Sequence, residues 1–145
     1  MDPTLVVPPG VTLVEFFRIH HAGTNTHLST YLIPPHWGPE WTRNGTLGFI
    51  SRTPFENSVL IWQCWGKTSP NNIMTSTDPN CEGQYKPPGQ GPLGYVSTVQ
   101  LPGTIPLYRC SYVWQSKLRH FDSIEASCEG NAATNNDGIL GYVFL

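Results

Sequence analysis

The sequence is short of charge. Asp, Glu, Lys and Arg together make up 12% of it, against about a quarter in an ordinary soluble domain. The eight Lys and Arg residues are scattered and the formal net charge is −2. A phosphate-binding surface needs clustered cations, so nucleic acid is not expected as a partner. No apolar run approaches the roughly 20 residues of a membrane helix, so membrane insertion is not expected either. Amphipathic helical windows are also missing, and Ser123–Ser127 is the one stretch that could form a single turn. The chain carries no Gly-x-Ser-x-Gly, His-Glu-x-x-His or phosphate-loop motif. It has no Cys-x-x-Cys spacing for zinc. Neither catalysis nor a metal or cofactor is therefore expected. Met1–Pro9 has no basic region and no small-residue cleavage site, so it does not read as a secretory signal.

Turns and aromatics are plentiful, with 14 Gly, 14 Pro and 12% aromatic residues in 145. The main signal is internal repetition, for which a sequence is searched first. Three stretches end alike: Leu47-Gly48-Phe49-Ile50, Leu93-Gly94-Tyr95-Val96 and Leu140-Gly141-Tyr142-Val143. Three begin alike: Phe17-Arg18-Ile19, Trp62-Gln63-Cys64 and Tyr108-Arg109-Cys110. Between them lie His27-Leu28-Ser29-Thr30, Ile73-Met74-Thr75-Ser76 and His120-Phe121-Asp122-Ser123. The second and third copies also share Cys81-Glu82-Gly83 and Cys128-Glu129-Gly130. The landmarks keep register across three copies of roughly 45 residues, at about 11–51, 57–97 and 104–145 of one domain, 1–145.

Val59–Cys64, Leu93–Val99, Leu107–Cys110 and Ile139–Leu145 are rich in β-branched and aromatic residues and bounded by Gly, Pro and Asn, which marks strands. Tyr85–Gly91 reads as a loop. A repeat of this size cannot bury its apolar face alone, and a propeller wants at least four blades. Three copies of four short strands about a pseudo-threefold axis make an all-β β-trefoil, with a two-sheet sandwich as the alternative. Leu47, Leu93 and Leu140 are expected to form one core layer. Phe49, Tyr95 and Tyr142 are expected to form another, close to Phe17, Trp62 and Tyr108.

Cys64 and Cys81 occupy the same places in copy two as Cys110 and Cys128 in copy three, while copy one has neither. Cysteines gained or lost as pairs point to disulfides Cys64–Cys81 and Cys110–Cys128, and so to an oxidising compartment. Buried reduced thiols are the alternative. Secretion or unconventional export is the expected localisation, and Asn44-Gly45-Thr46 would then be a glycosylation sequon.

The third copy, from Pro106-Leu107-Tyr108-Arg109-Cys110 through His120-Phe121-Asp122-Ser123 and Cys128-Glu129-Gly130, resembles a repeat of secreted fungal and bacterial proteins. Those repeats have a Tyr-Arg opening, a His-Phe-x-Ser centre and a Glu-Gly ending. Copy two matches in part, and copy one keeps only Phe17-Arg18 and His27. The size and threefold plan also resemble small fungal β-trefoil lectins. The resemblance implies fold more than function.

A sugar asks for an aromatic face and a few planar polar groups. The stretches after each opening strand offer both: His20–Asn25, Trp65–Asn72 and Ser111–Gln115. Trp65, Tyr112 and Trp114 are the stacking candidates, with Asp78 and Asp122 as hydroxyl acceptors. His120, repeated as His27, is a candidate recurring contact. The expected function is a non-enzymatic lectin with up to three related sites, binding glycans or glycoproteins, and a homodimer is a candidate assembly. The alternative is a protein-binding trefoil such as a protease inhibitor, acting through the proline-stiffened loop Pro34–Trp41.

Overall fold

The computed structural model describes residues 7–69, 71–87, 92–131 and 133–145. The chain is all-β, with nine antiparallel strands in sequence order: β1 (Leu13–His21), β2 (Thr26–Thr30), β3 (Trp41–Ser51), β4 (Ser58–Trp65), β5 (Ile73–Ser76), β6 (Pro92–Ser97), β7 (Thr104–Trp114), β8 (Lys117–Ser123) and β9 (Asn135–Phe144). A 3-10 turn at Cys81–Gly83 is the one helical element among the described residues. Ser123–Ser127 ends in the single turn expected of it, the Cys128 N–H donating to the Glu125 carbonyl at 2.9 Å. Residues 1–6 of the N-terminal stretch and 88–91 of the Tyr85–Gly91 loop lie outside the described residues.

Pairing follows one pattern in three successive segments. β1 pairs with β2 and β3, β4 with β5 and β6, and β7 with β8 and β9. Each segment thus has three strands among the described residues, where four were expected. The third strand runs unbroken, over 11 residues in β3 and 10 in β9. The segments join where β3, β6 and β9 meet, through the pairs Ser51–Tyr95, Phe49–Phe144 and Ser97–Tyr142.

The Leu-Gly landmark marks that junction. Phe16 faces Gly48 and Phe17 faces Thr46, so Leu47 is an extra residue in its strand. Leu93 and Leu140 are extra in the same way. Such bulges re-aim the side chains beyond them. The glycines beside them allow close approach of the next segment. A Cβ on Gly48 would lie 2.7 Å from the Phe144 carbonyl oxygen, and one on Gly94 would lie 2.8 Å from that of Ser51.

These bulges correct the expected core. Strict alternation would turn Phe49, Tyr95 and Tyr142 inward with the leucines. The extra residue shifts the phase, so those three are half-buried and Ile50, Val96 and Val143 are fully buried instead. The central core joins them to Phe16, Leu47, Ile61, Leu93 and Leu107, with Leu140 partly buried against it. Phe17 belongs to a second cluster with Ile19, Leu28 and Ile73, and Trp62 packs on the Cys64–Cys81 disulfide. Tyr108 is half-buried.

Both disulfides form as the paired positions suggested, Cys64–Cys81 and Cys110–Cys128. No described cysteine is free. Each ties the opening strand of its segment to the Cys-Glu-Gly turn.

Candidate functional site

The chemistry gathers between segments. In the bulge where Phe17 faces Thr46 and Ile19 faces Arg43, Arg18 stands opposite Asn44 and Gly45. The Arg18 side chain reaches the Cys-Glu-Gly turn of the third segment. Its Nη1 donates to Glu129 Oε2 at 2.6 Å and its Nη2 to Oε1 at 2.9 Å. Arg109 makes the same two-pronged pair with Glu82 of the second segment, at 2.5 and 3.2 Å. Forked guanidinium–carboxylate pairs fix geometry as well as charge. Each arginine, through its hydrogen bonds, holds its glutamate well below the usual carboxylate range. The third junction departs from this pattern. Gln63 stands where the arginines stand, and copy one has no Cys-Glu-Gly turn. Gln63 Oε1 accepts the Trp65 indole N–H at 2.8 Å instead.

A cleft opens at each junction. The first, about 430 Å³, lies between segments one and three. Arg18, Asn25, His27 and Asn44 line it from segment one, and Tyr112, Phe121, Glu129, Asn131 and Thr134 from segment three. Its aromatic wall is tight: the Tyr112 and Phe121 ring centres are 5.9 Å apart at 58°, and His27 lies 5.8 Å from Phe121. His27 stacks on His20 at 4.3 Å. Burial, and then the neighbouring His20, push the His27 pKa down to about 4, so the ring is neutral at neutral pH. Its Nδ1 is buried without a hydrogen-bond partner. Tyr112 is pushed up by burial.

The second cleft, about 490 Å³, lies between segments two and three. It is lined by Arg109, Glu82, His120, Gln84, Met74 and Gly66, among others. Aligned on the sequence landmarks, these stand where Arg18, Glu129, His27, Asn131, Phe121 and Tyr112 stand in the first cleft. His120 Nδ1 lies 2.7 Å from Asn72 Oδ1, and burial pushes its pKa down. The third cleft, about 200 Å³, is lined by Leu28, Tyr31, Leu32, Pro34, Trp37 and Gln63 with Thr30, Pro92 and Leu93. It has no ion pair, and it is less than half the volume of the other two.

The residues chosen from sequence do not form one site. Tyr112 lies in the first cleft and His120 in the second. Asp122 must be corrected: it is 3% exposed and accepts hydrogen bonds from Ser29 and Thr75, its counterparts in the other two segments. Ser29 donates at 2.6 Å. Asp122 is a buried hub, where desolvation raises its carboxyl pKa above the usual range, and it is not open to a ligand. Trp65 and Trp114 are corrected as well. Both end strands rather than sit in loops. Trp65 packs on the second cluster, and Trp114 is half-buried with the Arg119 guanidinium 5.2 Å from its ring. Strand β7 runs on to Trp114 because Gln115 and Ser116 both take positive φ, 51° and 63°. That is the backbone of a two-residue hairpin turn. Asp78 accepts the backbone N–H of Asn80 and of Glu82, each at 2.9 Å, and so shapes the Cys-Glu-Gly turn.

Sequence reasoning missed Arg18, Asn25, His27, Asn44, Phe121, Glu129 and Asn131 as neighbours. Arg18, His27 and Glu129 were visible as landmarks, but nothing in the spacing says that the arginine of one segment meets the glutamate of another. Among the described residues no cluster of His, Cys, Asp and Glu could hold a metal. No helix among them is long and apolar enough to cross a membrane. No known protein family, curated protein or solved structure matches the chain.

Proposed function

We propose that this chain is a non-enzymatic carbohydrate-binding protein, built as three repeats on a trefoil-like plan about a pseudo-threefold axis. The first cleft is its principal sugar site. The observation that carries this reading is the pairing of an aromatic wall with planar polar groups in an open cavity. Tyr112 and Phe121 offer the apolar face that a sugar ring stacks on. Asn25, Asn44 and Asn131 offer donors and acceptors for its hydroxyls, beside the closed Arg18–Glu129 pair. The threefold reading draws support from the recurring strand pairing and from the hub of Ser29, Thr75 and Asp122.

A binding role suits the cleft better than catalysis. The Glu129 carboxylate is spoken for by Arg18 on both oxygens, which makes it a poor general base. Two disulfides are compatible with an extracellular protein, where glycans and glycoproteins are at hand. The inhibitor alternative has less support. The Trp37 and Trp41 rings of its probe loop stack on one another at 4.8 Å and pack on the second cluster, so the loop holds its largest side chains back.

A glycan array, read with the wild type and Tyr112→Ala, tests the proposal. Binding of at least one saccharide class, lost in Tyr112→Ala with thermal stability nearly unchanged, is the expected result. A protein that binds no saccharide, or whose binding ignores Tyr112, would overturn it.

A further inference from the structure

The second cleft has the ion pair of the first but not its walls. Where the first presents Tyr112 and Phe121, the second has Gly66 and Met74. It therefore lacks the Tyr–Phe wall of the first, and the buried His120 is its one aromatic lining residue. What it has instead is positive charge. The sequence contains three lysines, Lys67, Lys86 and Lys117. The Lys86 ammonium is engaged, 4.5 Å from the centre of the Trp62 ring and donating to the Pro79 carbonyl at 3.0 Å. Neither Lys67 nor Lys117 has an acidic partner among the described residues. Both border this cleft. Lys117 is one of its lining residues, on the β7–β8 hairpin. Lys67 sits between the lining residues Gly66 and Thr68 on the segment-two side of the cleft, where its backbone N–H donates to Gln84 Oε1 at 3.1 Å.

The acids nearby do not cancel this charge. Glu82 is held by Arg109 on both oxygens. Asp137 accepts from Ser111 at 2.9 Å and lies 3.7 Å from His120 Nε2, beyond the His120 wall. Thr68, Ser69, Ser116, Asn72 and Gln84 add hydroxyls and amides to the lining, beside the apolar Leu118.

We propose that the second cleft binds a carboxylated saccharide of the uronic-acid class, its carboxylate held between Lys67 and Lys117 and its hydroxyls by the polar lining. The proposal rests on the saccharide-binding reading above. Two ammonium groups act as point charges and suit a single negative charge. The one guanidinium here, which could fork onto a sulfate or phosphate, is already taken by Glu82.

Immobilised polygalacturonate, its fully methyl-esterified form, dextran sulfate, yeast mannan and asialofetuin are the probes. They are read by biolayer interferometry with the wild type, Lys67→Ala/Lys117→Ala and Tyr112→Ala. The wild type is expected to bind polygalacturonate and not the methyl ester. The double lysine variant should bind it roughly tenfold more weakly, as loss of two charge-assisted contacts implies, while keeping its binding to mannan or asialofetuin. Tyr112→Ala should do the reverse. Both lysines are exposed, so the double variant keeps its fold. Equal binding to the ester, equal binding to dextran sulfate, or an unaffected double variant would each overturn the proposal. Binding to mannan or asialofetuin without polygalacturonate would overturn it while leaving the first-cleft reading intact. Binding to none of the five would overturn the proposal, and the glycan array described above would then decide the first-cleft reading separately.

Discussion

Gly48→Ala tests what holds the three segments together. A methyl group there would lie 2.7 Å from the Phe144 carbonyl oxygen and 2.9 Å from a Val143 methyl. The backbone φ is +129°, a conformation L side chains rarely adopt. That conformation costs a side chain about 1–3 kcal/mol. Forcing an extra methyl into a packed junction costs about 1–3 kcal/mol more, and a backbone oxygen cannot swing aside. The two together predict a loss of about 4 kcal/mol, or about 12 °C in Tm for a chain of this length. Two companions separate the parts. Gly45 has φ +92°, and a methyl added there would have nothing within 4 Å, so Gly45→Ala carries only the conformational cost and should lose a few degrees. Gly141 has no left-handed φ, but its methyl would meet the Ser97 carbonyl oxygen at 3.0 Å and a Val96 methyl closer still. Gly141→Ala therefore carries only the contact and should fall between the other two. Calorimetry with a urea titration at neutral pH reads all three. If Gly48→Ala loses no more than Gly45→Ala, close approach is not why glycine stands at the junction, and the packing account fails.

Asp122→Asn should stabilise the protein at neutral pH. Burial raises the carboxyl pKa in the folded state, so the wild type's stability falls as pH rises above the ordinary Asp range. Tm of the variant minus that of the wild type should grow from pH 4 to pH 7, and a difference that shrinks refutes the hub account. His27 is depressed to about 4, so it costs stability as pH falls from about 6.5 towards 4. His27→Gln should flatten that part of the stability profile, and an unchanged slope would show that His27 is not its source. The disulfides close loops of 17 and 18 residues in sequence separation, each worth about 3 kcal/mol. Thiol titration of the denatured, unreduced protein should find none, and Cys64→Ala/Cys81→Ala should lower Tm by several degrees. Four reactive thiols would contradict both bonds.

The strands, the segment landmarks and the disulfides were legible because each is local or repeated. Leu-Gly at three places signals a bulge beside a close approach, and paired cysteines signal pairs. The phase of the core was not legible, because one extra residue at Leu47, Leu93 and Leu140 reverses which neighbour faces inward. The hairpin at Gln115–Ser116 was hidden because neither residue is the Gly or Asn that usually takes positive φ. Trp114 therefore read as a loop residue. The clefts were hidden for a deeper reason. Arg18 and Glu129 are 111 residues apart, and periodicity aligns equivalent residues without saying which inequivalent ones touch.

The Arg–Glu pairs also decide what counts as an exchangeable part of this molecule. The stretch from Glu82 to Arg109 is continuous in the chain, yet it begins in one three-stranded segment and ends in the next. A segment transplanted between landmarks would carry its arginine away from its glutamate. A transplant cut in the middle of the segments would keep them together. The remaining pair, Arg18 with Glu129, bridges the first strand and the last turn, so it acts as a clasp between the ends of the chain. Substitutions at either end are therefore expected to be compensated at the other, not at the nearest residue in sequence. Gln63, where the other two segments carry an arginine, is the place at which such a pair is missing.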